Sequence, residues 1–457
     1  MIGVIGIIFS LGMLIFLAYR GYNVIMIAPI MALLAVVLSG GGGLLPSYTH
    51  VFMVEMAGYV KTYFPVFMLG AIFGKLMDDS GAAKAIAYAI AGKLGKDKAI
   101  LAVVLSCGVL TYGGVSLFVV AFAVYPIARE LFREAQIPKR LIPATIALGA
   151  FTFTMTALPG TSQIQNAIPM PFFGTTVWAA PILGIVGGVF ELIAGVAWLS
   201  FRARKAKAAG EGYGKVETEV NEQVDLSKLP SVLTSVIPIV VVLVVNFVLP
   251  KTYFKTYSQE TLDRFGLQLS KVEGMWSLII SLILAILLCI GLNYKKLTNI
   301  KETLNQGTFG SFLAVLNTAS EVGYGNVVAT LGSFALVKTA LMGISKNPVI
   351  ATGIAVTALA GITGSASGGM SIALGAFGDT YLQMAQQMNI SPEVLHRVAA
   401  IACGGLDSLP HNGAVITLLG ITGLTHKESY ADIGMVTVII TLMALTIVMG
   451  LGLLGVV

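Results

Sequence analysis

Membrane-length apolar runs, joined by short polar or basic stretches, recur from one end of this chain to the other. About 20 apolar residues carry a helix across a bilayer. On that measure helices are predicted near 1–19, 23–40 and 51–78, the last holding Glu55, Lys61 and Lys75. A lysine-edged amphipathic segment, 81–95, is expected to lie along the membrane surface. The run 98–131 is apolar but interrupted by Thr111-Tyr112-Gly113-Gly114-Val115-Ser116. Both of its flanks are basic. A single crossing would split those like charges between two faces, whereas a re-entrant hairpin with its glycine tip at mid-membrane keeps them on one. A broken helix over 141–170 and a helix over 176–201 follow, and 202–229 is the only long polar linker. The order then repeats: helices at 231–249, 275–293 and 306–330, a surface segment near 332–345, and a second interrupted run at 348–380. A second broken helix, 397–424, and a last helix, 431–457, complete it.

The broken helices organise the rest. Phe151–Met170 begins as a threonine-dotted apolar run, meets Leu158-Pro159-Gly160, and continues through Thr161, Ser162, Gln163, Gln165 and Asn166. Proline removes a backbone hydrogen bond and clashes with the preceding turn. Lipid cannot satisfy the freed groups, so such a break must lie inside protein or line a watery cavity. A polar break at membrane depth marks a substrate or ion site. Cys403–Thr417 sets Ser408-Leu409-Pro410 against Ala157-Leu158-Pro159 as its counterpart. The hairpin tips correspond too, Gly113-Gly114-Val115-Ser116 with Gly368-Gly369-Met370-Ser371. Five crossings and one hairpin in each half make the halves inverted. The expected fold is therefore an all-α polytopic membrane protein of two inverted repeats, 1–201 and 230–457. It has about ten transmembrane helices, two re-entrant helical hairpins and two Pro-broken helices. Most lysines and arginines fall on the face holding Arg20 and the 202–229 linker, which makes that linker cytoplasmic and both termini external. The first hairpin then enters from the cytoplasm and the second from outside.

Composition narrows the class. The chain is 56% hydrophobic and 11% charged, against about 25% charged in an average soluble domain, and its 52 glycines suit close helix packing in lipid. The first 19 residues lack a basic leader and a small-residue cleavage site, and read as a retained first helix. The net charge of +6 lies in short joints between helices, so no nucleic-acid partner is expected. Cys107, Cys289 and Cys403 stand singly in apolar runs; neither a disulfide frame, a metal site nor a cofactor is predicted.

Four polar elements supply candidate binding residues. The first hairpin and break offer Thr111, Gly113, Gly114, Ser116, Thr156, Gly160, Thr161, Ser162, Gln163 and Asn166. The second pair offers Thr363, Ser365, Ser367, Gly368, Gly369, Ser371, Ser408 and Asn412. Freed N–H groups attract anions, small residues let a carboxylate approach them, and hydroxyls add donors without charge. These motifs hold no lysine or arginine, so the ligand expected is a small, hydroxylated organic anion of low charge. A glycine-serine run alone would signal only helix packing; the pairing of both motifs in both halves is the stronger sign. Asp407 and His411 flank the second break four residues apart, and Glu321 lies in NTASEVGYGN. Each is a candidate for coupling to an ion, since intramembrane ionisable residues mark ion paths; the alternative is a structural hydrogen bond. Asp379 is read as a helix cap, Lys75, Asp78 and Asp79 as a solvated helix end, and Glu55 and Lys61 as facing the protein interior.

The stretches LTYGGVSLFVVAFAVYPIARELF, IPATIALGAFTFTMTALPGTSQIQNAIP and GGLDSLPHNGAVI resemble the gluconate permease (GntP-like) family of the ion-transporter superfamily, over essentially the whole chain. Ser162 departs from that pattern, which carries proline there in many members. The resemblance implies symport of a small hydroxy-carboxylate such as gluconate or 3-hydroxybutyrate, driven by protons, in the bacterial inner membrane. It also implies a homodimer whose transport domain, with both hairpins, slides like an elevator against a scaffold. A sodium-coupled carrier of a carboxylate or of a D-serine-like amino acid is the alternative, with unwound carbonyls at Gly113, Gly160 and Gly368 as sodium ligands. A membrane-embedded enzyme is the rival class; with four histidines and neither H-x-x-x-x-D nor H-E-x-x-H, the chain offers no constellation for it. A channel suits two opposed hairpins less well than alternating access does.

Overall fold

The computed structural model describes residues 2–20, 22–214, 226–336, 343, 345–410 and 412–457; no strand occurs among them. The chain begins with α1 (Ile2–Tyr19) and α2 (Val24–Leu38), the latter started by Asn23, whose side chain accepts the Ile25 N–H. Next come α3 (Leu44–Asp79), entered through a π-helical turn, and α4 (Ala82–Leu94). Helices α5 (Ala99–Tyr112) and α6 (Leu117–Glu134) form the first hairpin. After α7 (Ile142–Ala150) the chain unwinds, makes two short turns, Ile164–Ala167 and Pro169–Phe173, and enters α8 (Pro181–Ala208).

The second half holds α9 (Val232–Val248), α10 (Leu269–Asn293) and α11 (Ile300–Thr330). Helices α12 (Pro348–Thr363) and α13 (Ala366–Gln387) form the second hairpin. Then α14 (Pro392–Cys403), an unwound stretch, α15 (Gly413–Thr422) and α16 (His426–Leu453) complete the chain.

Among the described residues five elements are long and apolar enough to cross a membrane: Leu44–Asp79, Pro181–Ala208, Val232–Thr256, Leu269–Lys296 and His426–Leu453. Helices α1, α2, α12 and α15 are apolar but shorter. Helix α11 has the length, 31 residues, yet carries Asn317, Thr318 and Glu321, as a helix enclosed by protein does. It runs antiparallel to α3. Phe64 stacks on Phe312 with centroids 5.8 Å apart, Gly307 lies on the Ile72 backbone and Gly323 on the Phe52 carbonyl. Glycines at these crossings let the two backbones meet, the usual route to tight packing in lipid.

The first break differs from the sequence reading for a local reason, and the two predicted surface segments are placed as follows. Segment 81–95, expected along the membrane surface, forms α4, which packs on the first hairpin and on α9 and buries Ala83, Ile86 and Ala87. The first break starts at Ala150, well before Leu158-Pro159-Gly160. There the hydroxyls of Thr152, Thr154 and Thr156 turn back onto the carbonyls of Leu148 (2.6 Å), Gly149 (2.6 Å) and Thr152 (3.1 Å). Threonine offers the backbone this alternative to the helix ladder, and Thr152 and Thr154 take it, whereas Thr152 O accepts the Thr156 N–H as well. Half of the predicted surface segment 332–345, residues 337–342 and 344, lies outside the described residues.

One polar cluster ties the ends of three elements together. Asp432, 1% exposed, accepts from Arg202 Nε (2.7 Å), Arg140 Nη1 (3.3 Å) and Trp198 Nε1 (3.1 Å). Arg140 also grips Glu211 with two hydrogen bonds, which holds that exposed carboxyl below the usual carboxylate range.

Candidate functional site

Both hairpin tips are fastened to the break of their own half by an amide side chain. Gln163 Nε2 donates to the carbonyls of Thr111 (2.7 Å) and Val115 (3.2 Å), on either side of the first tip. Asn412 Nδ2 donates to Gly364 O at 2.9 Å in the second tip, while its Oδ1 caps α15 by accepting the Val415 N–H. The first tip turns at Gly114, φ +97°, a conformation glycine alone adopts without strain. In the second, Ser365 caps α13, and Gly369 lies against the Ala360 backbone so closely that any Cβ would collide.

Between these four polar elements, α3 and α11 lies a cavity of about 590 Å³. Of the sequence-predicted residues, Gly114, Ser116, Gln163, Ser365, Ser367, Ser408 and Asn412 line it, as do Asp407 and Glu321. So do Ser162, likewise predicted, and, beyond the predicted residues, Gln165 of the first break and Asn317 and Thr318 of α11. Four lining side chains carry a polar atom with no protein partner: Ser162 Oγ, Gln165 Oε1, Asn317 Oδ1 and Glu321 Oε2. Such atoms are costly unless a ligand or water meets them, and their convergence marks a binding cavity. Among the described lining residues the only charged side chains are the two carboxylates, Asp407 and Glu321. Asp407 accepts the Ser408 hydroxyl at 2.9 Å.

The remaining predicted residues stand outside the lining. Thr111 and Thr161 are buried with unpartnered hydroxyls, Gly113 packs on Ile239, and Gly160 packs on Trp178. The Thr156 hydroxyl bonds Thr152 O, and Ser371 bonds Ser367 O at 2.7 Å. Gly368 sits beside Glu321, where a side chain would meet the carboxylate. Asn166 faces away from the cavity: its Nδ2 donates to Thr161 O and Val177 O, and its Oδ1 accepts from Arg397 and His396. His411 lies outside the described residues.

Sequence reasoning passed over several functional candidates. Arg397 and His396 are fully buried behind the first break, and Glu191 is fully buried in α8 with neither carboxylate oxygen partnered. The signal was available, since each is an ionisable residue inside an apolar run. What the sequence lacked was the contact joining α14 to a break more than 200 residues away.

An all-helical chain with membrane-length apolar helices around a polar, break-lined cavity is a multi-pass membrane transporter. The fold matches the YdaH transporter of Alcanivorax borkumensis with TM-score 0.59 and 14% identity, covering 89% of each chain. It also matches Neisseria gonorrhoeae MtrF, with TM-score 0.53 and 12% identity, covering 91% of this chain and 84% of that one. The GntP family permease model matches residues 2–454, and this chain belongs to that family. It is 48% identical over 451 residues to the uncharacterized transporter YxjC of Bacillus subtilis (strain 168), covering 95% of this chain and 96% of the relative. It is 26% identical over 234 residues to the high-affinity gluconate transporter of Escherichia coli (strain K12), covering 50% and 49%. The chain is thus a secondary transporter of the GntP family.

Proposed function

We propose that the cavity binds a small hydroxy-carboxylate, and that the protein imports it by symport with protons. The carrying observation is the lining itself: hydroxyls and amides with unpartnered polar atoms, and two carboxylates as the only charges. Hydroxyls and amides suit a polyhydroxylated acid, the class named for the gluconate-transporting relative. A monoanion entering beside two ionised acids would meet strong repulsion at low dielectric. A cation must therefore enter with it. A proton on Asp407 or Glu321 removes one charge without occupying volume; Asp407 with His411 is the pairing that the sequence favours.

The two halves, 1–201 and 230–457, are proposed as inverted repeats around a cytoplasmic linker, 202–229, in a bacterial inner-membrane homodimer. Both hairpins and both breaks travel together past a scaffold as an elevator. The amide fastenings support this, since each tip is tied to its own break. Cysteines in the linker and at Ser258 are expected to label from opposite sides of the membrane; labelling from one side removes the inversion.

Uptake by proteoliposomes tests the function. Gluconate, 3-hydroxybutyrate and D-serine are each offered with an inward pH gradient or an inward sodium gradient. Accumulation of a hydroxy acid under the pH gradient alone is expected. Accumulation under sodium alone transfers coupling to sodium, and no accumulation of any of the three removes the reading.

A further inference from the structure

We propose that Arg397 supplies the positive charge that selects an anion for this cavity, acting from behind the first break as a positioning residue without touching the substrate. This rests on the carboxylate reading above. Arg397 is 0% exposed in α14, and every acceptor it meets is neutral. Its Nε and Nη2 donate to Ala179 O (3.1 and 2.6 Å), Nη2 also to Val177 O (3.2 Å), and Nη1 to Asn166 Oδ1 (3.0 Å) and Thr156 O (3.4 Å). No carboxylate pairs with it among the described residues. Glu393, one turn earlier on α14, accepts the Ala180 N–H instead. The guanidinium is thus fully hydrogen-bonded but in no ion pair among the described residues, and Glu393 acts on its charge only through space.

Its position gives that charge a direction. At Gly184 of α8 a Cβ would meet Arg397 Nε, Ala157 O and Pro159 Cδ together, so the guanidinium sits directly against the break. The opposite side of the same segment, Ser162 to Gln165, is cavity wall. Asn166 follows immediately and turns back to the guanidinium. Tyr112, beside the first tip, donates to Pro159 O at 2.7 Å. Residues that hold the buried cation, Thr156 and Asn166, are thus the immediate neighbours of lining residues Met155 and Gln165, and the described lining itself holds only negative charges. In such a medium a charge acts well beyond contact distance. Arg397 also ties Thr156 O of the unwound segment to Val177 O and Ala179 O of the stretch that leads into α8, and so fixes the back of the break.

The rival explanation is a purely structural clamp, and the two separate by ligand charge. Competition by gluconate and by its uncharged amide, gluconamide, is measured in counterflow for wild type, Arg397→Gln and Arg397→Lys. With the charge gone, Arg397→Gln is expected to bind gluconate about tenfold more weakly and gluconamide within about twofold of wild type. Arg397→Lys keeps the charge, loses the fork of hydrogen bonds, and is expected to keep most of the preference for the acid. Where Arg397→Gln is not recovered folded, Asn166→Asp places a carboxylate against the guanidinium and is expected to lose the same preference. Equal loss for both ligands, or an unchanged ratio in the charge-neutralised variant, overturns the proposal. If wild type binds neither gluconate nor 3-hydroxybutyrate, the carboxylate reading falls and this inference with it. If wild type binds and the ratio does not move, only this inference falls.

Discussion

The two broken segments do the same topological task with opposite chemistry. The first, between Ala150 and Ile164, is held by neutral groups and by a cation behind it: threonine hydroxyls, Asn166, Tyr112 and Arg397. The second, between Cys403 and Gly413, carries its charge in front, with Asp407 in the cavity wall and Ser408 bonded to it. Its carbonyls are met from outside by Tyr430, at Ser408 O, and by His426, at Pro410 O. Matching motifs in the two halves thus became different walls of one site.

The comparison is broken most severely at the hairpin glycines. A Cβ at Gly369 would strike the Ala360 backbone, whereas one at Gly114 meets the Ser162 side-chain hydroxyl. Gly369→Val is therefore expected to yield no folded protein by size-exclusion chromatography. Gly114→Val, strained by its positive φ, is expected to purify with a lowered melting temperature and no uptake. A well-folded, active Gly369→Val would show that the second hairpin does not close as described.

Next in size is coupling. Glu321→Gln and Asp407→Asn each remove one cavity carboxylate, with little change in volume. Both are expected to keep exchange between equal substrate pools while cutting gradient-driven accumulation at least tenfold. Accumulation surviving in both variants would assign coupling elsewhere.

The Asp432 cluster offers a stability contrast. Asp432→Asn leaves two guanidiniums without their buried counter-ion and is expected to cost about 3 kcal/mol in unfolding experiments. Glu211→Gln, at the exposed end of the same chain of contacts, is expected to change stability by less than about 0.5 kcal/mol. Because the folded carboxyl of Glu211 titrates below its free value, its contribution is present above about pH 4.3 and lost as pH falls further. A Glu211 effect as large as that of Asp432 would show the exposed contact to be the dominant one.

The smallest expected effect separates the paired serines. Ser116 lines the cavity, whereas the Ser371 hydroxyl is spent on Ser367 O. Ser116→Ala is expected to weaken substrate binding by about 1 kcal/mol, roughly fivefold, and Ser371→Ala by less than twofold. Equal effects in counterflow would place both hydroxyls against the ligand.

The sequence by itself determined the class of this fold, because bilayer thickness dictates the length of apolar runs and leaves few structures able to cross. It also determined that each half carries a glycine-tipped hairpin and a proline-marked break, since glycine and proline act through their own backbones. Of the candidate residues, those on the tips and breaks themselves, from Ser116 and Gln163 to Asp407 and Asn412, were legible in this local way. Tertiary structure alone decided which of them face the cavity. Asn166 and Gln165 are neighbours of equal polarity, yet one turns to Arg397 and the other to the site. At the start of the first break two threonine hydroxyls, of Thr152 and Thr154, take the carbonyls of Leu148 and Gly149. Arg397 and Glu191 gain their meaning from helices distant in sequence, since burial and the lack of a counter-charge are properties of surroundings that no single stretch encodes.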